Sequence, residues 1–218
     1  MQLERIRSLA TIALVLLALP GCFGPQIQGS GNAIQQPRSV AGFRRIEIKG
    51  STDVVATVGP ATQVTVSGDD NIVPHVRTEV RGDTLIIDME RGSYSPRADL
   101  VVTISTPALD GVSISGSADA QVKGVVAERF DAHISGSGNL DVRGTARQLE
   151  ASISGSGDMR LYGLSCGRAS VEVSGSGNVE LTAAEALDAQ ISGSGDVRYR
   201  GRPHTQVKVS GSGSVEPG

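Results

Sequence analysis

The chain has 218 residues, 3% aromatic side chains, no Trp, 28 Gly and a formal net charge of -3 with both signs spread along its length. A core built around large rings is excluded, and without a basic patch or stacking aromatics nucleic acid is excluded as a partner. Hydrophobic residues at 39% beside so much Gly indicate an aliphatic core interrupted by tight turns.

The first element is an export signal. Arg5 and Arg7 precede an apolar run from Leu9 to Leu19, which is too short to span a bilayer and is followed at once by Pro20, Gly21 and Cys22. Leu19, Gly21 and Cys22 resemble the lipobox of bacterial lipoproteins, with Pro20 as a departure from it. The resemblance implies that residues 1–21 are a lipoprotein signal peptide and that Cys22 is acylated. Two acyl chains make a lasting anchor where one does not. Phe23 follows the Cys, with no Asp to resemble an inner-membrane retention signal, so in a Gram-negative cell the outer membrane is favoured. The mature chain carries 18 basic against 22 acidic residues, so adsorption to anionic lipid is not favoured and membrane contact rests on the lipid. With Cys22 lipidated, Cys166 has no intrachain partner and reads as a buried, inert thiol.

Residues 22–38 are polar, contain Pro25 and Pro37, and read as a tether that can hold one early pairing segment. The domain then runs over 39–218, with less regular coils over 39–110 that could cap one end and regular coils over 111–218.

In the regular part the chain repeats itself. Aligned on the first Gly of each "SGS", the copies start at Gly116, Gly136, Gly155, Gly175, Gly193 and Gly211, at steps of 18–20 residues. That period is too short for a helical hairpin and fits one turn of a β-solenoid. Before each motif the pairs Val112/Ile114, Ala132/Ile134, Ala151/Ile153, Val171/Val173, Ala189/Ile191 and Val207/Val209 alternate with polar residues, so one face points in. After the motif, Ala120, Leu140, Met159, Val179, Val197 and Val215 form one inward column, and Val122, Val142, Leu161, Leu181, Tyr199 and Pro217 a second. A second corner falls eight residues after each motif Gly, and the length variation falls in the return segments that follow it.

Recurrence of the first Gly fits a backbone angle that a Cβ would penalise or a close approach between coils. The second Gly is Ala118 in one copy, which suggests that this position tolerates a methyl. The next position reads Asp119, Asn139, Asp158, Asn178, Asp196 and Ser214. Stacked about 4.8 Å apart, a pure Asp column would repel itself; alternation halves its charge and permits amide-to-carboxylate bonds. The outward column Gln121, Asp141, Arg160, Glu180, Arg198 and Glu216 alternates in sign from Asp141 onward. Both patterns read as structural.

Ligand chemistry fits these residues poorly. No "SGSG" copy is followed by the Lys-Ser/Thr and helix of a phosphate loop. Half of the Asp positions are Asn or Ser, which weakens a calcium reading, and His75, His133 and His204 are scattered rather than set at zinc-ligand spacing. A polysaccharide-cleaving solenoid needs carboxylates converging in a groove, and here the charges alternate. No catalytic, cofactor-binding or metal residue is assigned.

The segments "AGFRRIEIKGSTDVVATVG" (41–59), "NIVPHVRTEVRGDTLIIDM" (71–89) and "SISGSADA" (113–120) onward resemble the bacterial GIN-domain family, designated as an autotransporter-type adhesin head, over about residues 39–216. "GSTD" and "GSAD" depart from the family's usual "GSGD". The resemblance implies an all-β fold, a right-handed parallel β-helix (β-solenoid) shaped like pectate lyases without their active site, and no established biochemical activity. The expectation is a non-enzymatic cell-envelope protein that mediates surface or periplasmic interaction with an unknown protein or glycan partner. A structural envelope spacer is the alternative, and a polysaccharide-active enzyme ranks below both. A homo-oligomer is expected if another copy covers the open end of the stack.

Overall fold

The computed structural model describes residues 26–218; the expected signal peptide, Cys22 and the start of the tether lie outside the described residues. The described chain is almost all β and winds into a β-solenoid of about five turns.

Strands β1 (Gln26–Gln28) and β2 (Ala33–Arg38) precede the first coil, which consists of β3 (Arg45–Gly50) and β4 (Asp53–Val58). An excursion follows: β5 (Gln63–Asp69), one 3-10 turn (Val73–His75), β6 (Val76–Arg81), β7 (Thr84–Met89), β8 (Ser93–Ser95) and β9 (Val101–Thr106). The regular coils are β10 (Gly111–Gly116), β11 (Asp119–Gly136), β12 (Asn139–Gly155), β13 (Asp158–Gly175), β14 (Val179–Gly193), β15 (Val197–Arg200), β16 (His204–Gly211) and β17 (Val215–Pro217).

The motif glycines pair with one another from coil to coil in parallel register, Gly116 with Gly136, Gly155 with Gly175, and so on to Gly211. Gly116 also pairs with Gly50, and β11 with β4, so the whole of 59–110 is inserted between two coils that touch. That insertion finishes the first end: β7 pairs with β3 and carries β6 antiparallel, while β9 pairs with β4 and carries β5 and then β2 antiparallel. Ile72 and Val73 of the connecting turn are fully buried there.

The inward columns make the core. Ile114, Leu140, Val142, Met159, Leu161, Val173, Val179, Leu181 and Val197 have no exposed surface, and Phe130 is the largest fully buried side chain. Each such side chain contributes about 1.5–3 kcal/mol by leaving water. The pattern fails at β16 and β17, where Val207 and Val209 keep the inward register but are each 44% exposed and Pro217 is exposed, because no further coil covers them among the described residues.

Two other expectations change. Length variation is absorbed mainly at the second corner and just after it, in register shifts between Val122 and Val125, between Asp141 and Gly144, and between Leu161 and Ser165. From Arg129, Gln148, Arg168, Ala186 and His204 onward the return side is back in step. Chain can be added cheaply where it turns, whereas a slip within a strand would move its apolar residues to the outer face. The expected tether is also partly folded, since β2 pairs with β5 and β1 with β8. Pro37 fits because β2 is an edge strand, where one missing donor is tolerated.

Candidate functional site

The motif corner is built from backbone. Gly116, Gly136, Gly155, Gly175, Gly193 and Gly211 have φ between +129° and +138°, a region that L side chains rarely adopt. From Gly116 to Gly193 each carbonyl accepts from the coil above: Ser137 N–H donates to Gly116 O at 2.9 Å, and Ser156 N–H to Gly136 O at 2.9 Å. A Cβ on Gly136 or Gly155 would lie 2.2 Å from the carbonyl oxygen of the glycine below. The tolerance suggested by Ala118 does not extend along its column. A Cβ on Gly138 would lie 2.3 Å from Ala118 O, and one on Gly157 2.1 Å from Gly138 O.

Beside this corner stands the Asp/Asn ladder. Asn139 Nδ2 donates to Asp119 Oδ1 at 2.8 Å, and Asn178 Nδ2 to Asp158 Oδ1 at 2.9 Å. Asp196 N–H donates to Asn178 Oδ1 at 3.1 Å, and Ser214 N–H and Oγ both donate to Asp196 Oδ1 at 2.9 Å. The ladder starts one coil earlier than the repeat suggests, since Asp119 N–H donates to Asp53 Oδ1 at 2.9 Å. Replacing Asn178 by Asp would place three carboxylates in line and delete the amide donor. We expect a loss of roughly 0.5–1 kcal/mol in urea unfolding, shrinking as salt is added.

The sign-alternating column stacks as Asp141 on Arg160, Arg160 on Glu180 and Glu180 on Arg198. No ion pair forms along it among the described residues; Asp141 instead pairs with Arg143 on its own strand at 3.2 Å. Between this column and the ladder lies a polar groove of about 330 Å³, floored by Met159 and Val179.

The return side carries an ion-pair network that sequence reading missed. Buried Asp131 bonds Arg45, and its Oδ1 accepts from Arg129 Nε at 2.8 Å; Arg129 continues to Glu150 on the next coil. Arg44 pairs with Asp110 alongside. Arg45 and Asp131 are far apart in sequence, and only the pairing of β3, β10 and β11 brings them together. The side-chain bonds to Asp131 and Glu150, with their charges, raise the Arg129 pKa further. On this face Leu149 and Ala169 floor a cavity of about 280 Å³ between Arg129 and Asp188, and Val126 projects with 79% of its surface exposed.

Cys166 is 5% exposed, and its thiol donates to Thr182 O at 3.2 Å. Burial pushes its pKa up to about 11, so little thiolate exists at neutral pH. Among the described residues no three His, Cys, Asp or Glu are disposed to hold a metal.

Several solved structures share this architecture. A "putative adhesin" from Bacteroides fragilis NCTC 9343 is 22% identical with a TM-score of 0.72, the match covering 88% of this chain and 99% of that one. A "putative adhesin" from Parabacteroides distasonis ATCC 8503 is 24% identical with a TM-score of 0.58, covering 88% and 100%. A "Putative lipid binding protein" from the same organism is 21% identical with a TM-score of 0.58, covering 88% and 99%. These likenesses establish the fold. No curated protein matches the chain. Residues 42–203, from the strand before the first corner to the start of the last coil, match the family model described as "Putative auto-transporter adhesin, head GIN domain", and the chain belongs to that family.

Proposed function

We propose that this protein is a lipid-anchored, non-enzymatic interaction module of the cell envelope, exported and held through acylated Cys22, in the outer membrane where the cell has one. Its role is adhesion to a protein or glycan partner. The observation that carries the reading is polarity: β1 and β2 lie at the finished end of the solenoid, so an anchor just before them leaves the coils projecting from the membrane. The family and its adhesin relatives support an envelope or surface role. The engagement of Asp131, Arg129, Glu150, Arg44 and Asp110 with one another argues against a catalytic groove on the return side.

The uniform ladders favour a second reading, a rigid spacer. Both are tested by binding the full chain to glycan arrays and to envelope-protein arrays that include the chain itself. Specific retention supports adhesion, silence favours the spacer, and turnover of a glycan refutes both. Fatty-acid labelling that persists in Cys22→Ser would refute the anchor.

A further inference from the structure

The two ends of the solenoid are finished differently. At the first end the core is sealed: Ile72 and Val73 of the connecting turn, and Leu85 and Ile87 of β7, have no exposed surface. Of its edge strands, β6 turns Arg77, Glu79 and Arg81 to solvent, charges of the kind that protect an edge from pairing, and β2 carries Pro37, which has no backbone donor to offer. At the other end β16 pairs, among the described residues, with β14 alone, and every residue of it is exposed. Thr205, Val207 and Val209 sit over Leu187, Ala189 and Ile191, which are buried, so the uncovered apolar surface continues the core itself.

We infer that this end is a docking edge for a second copy of the chain, β16 pairing antiparallel with the second copy's β16. The edge complements itself. With Val207 opposite the second copy's Val207, Val209 meets Thr205, Lys208 meets Gln206 and Ser210 meets His204, so inward residues face inward ones and no like charges are opposed. Centring the pair on Lys208 would oppose two cations, which excludes that register. The molecule already ends its coils this way at its other end, where β6 runs antiparallel to β7 and β2 to β5. Joining β16 to the β6 of a second copy would set the open edge against the charge-guarded strand and build an open filament rather than a closed dimer.

This contact has a functional consequence that rests on the anchor reading above. Cys22 precedes β1, which belongs to the sealed end, so β16 lies at the end far from the membrane. An isologous contact between two such ends places the anchors at opposite extremes, and the pair bridges two membranes. The adhesion is then homophilic, tip to tip.

The test separates the two claims. The full chain carrying Cys22→Ser should sediment as a dimer, and its Val207→Lys variant as a monomer with unchanged β-sheet circular dichroism. Val207→Cys in the same background should give a disulfide-linked dimer on a non-reducing gel, whereas Arg77→Cys should not. A monomer in sedimentation and no Val207→Cys cross-link would overturn the contact, and cross-linking through Arg77→Cys would overturn its geometry. The lipidated wild-type chain on phosphatidylcholine vesicles should cluster them, and Val207→Lys should abolish clustering. Dimers in solution without vesicle clustering would overturn the membrane-bridging role while leaving the edge contact standing.

Discussion

Replacing Gly155 by Ala should cost about 3–5 kcal/mol of unfolding free energy, measured by chemical denaturation. Two effects add at this position. The residue holds φ +135°, where a Cβ is strained in any surroundings, and the new Cβ would lie 2.2 Å from the Gly136 carbonyl oxygen. That oxygen cannot retreat, because it accepts from both Ser156 N–H at 2.9 Å and Gly157 N–H at 3.2 Å. The misfit passes up the stack, since Gly155 O itself accepts from Ser176 N–H at 2.9 Å. Gly163→Ala is the control. No positive φ is involved there, and its Cβ would meet Arg143 Cγ at 2.7 Å, on a largely exposed side chain that can swing away. A loss there as large as at Gly155 would show that any bulk at a corner is harmful and that the φ and carbonyl contact are not the cause.

Asp69→Ala should detach the sealed end, lowering the melting temperature by on the order of 5 °C or more and opening β1 and β2 to proteolysis. Asp69 is fully buried. Its Oδ1 accepts from Gly31 N–H at 2.6 Å, and its Oδ2 from Arg97 N–H at 2.8 Å and Ala98 N–H at 3.0 Å. One carboxylate thus joins the N-terminal segment, the end of β5 and the loop before β9. Removing it leaves three backbone donors without their acceptor. Burial by itself would raise the Asp69 pKa, but the backbone N–H groups of Ala98, Arg97 and Gly31, helped by the Arg97 charge, outweigh it and hold the pKa below the usual carboxylate value. A depressed folded-state pKa contributes stability that is complete above the ordinary carboxylate range and is lost as pH falls through and below it. The wild-type chain should therefore lose this share of its stability on acidification, and Asp69→Ala should show a flatter stability profile over the same window. Equal acid sensitivity in the two chains would show that other carboxylates carry the effect.

Much of the architecture was legible in the chain because it is written in register. Where each coil templates the next, like residues recur at a near-constant step, and the columns through Ile114, Leu140 and Val179 can be read from one string. The Asp/Asn alternation is legible for the same reason, since a column of like charges has to be interrupted. The excursion was not legible. Residues 59–110 repeat nothing, and nothing local in them shows that Gly116 would pair with Gly50 across them. In 26–38 one pairing segment was legible and the second was not, because their retention depends on Asp69 and Asp70, far along the chain; Ser30 Oγ and Asn32 Nδ2 donate to Asp70 at 2.6 and 2.8 Å.

The sequence by itself determined the solenoid, its corners and its inward columns, because a period of 18–20 residues with strict alternation can bury its apolar face only by stacking on itself. Tertiary structure decided which surfaces are finished and which are open. Val207 and Val209 carry the same inward signature as Ala189 and Ile191, yet are 44% exposed because burial in a stack depends on the coil above as much as on the residue. The Arg45–Asp131–Arg129–Glu150 network was decided at the same level, since its members share a face only after the inserted segment has folded out of the way.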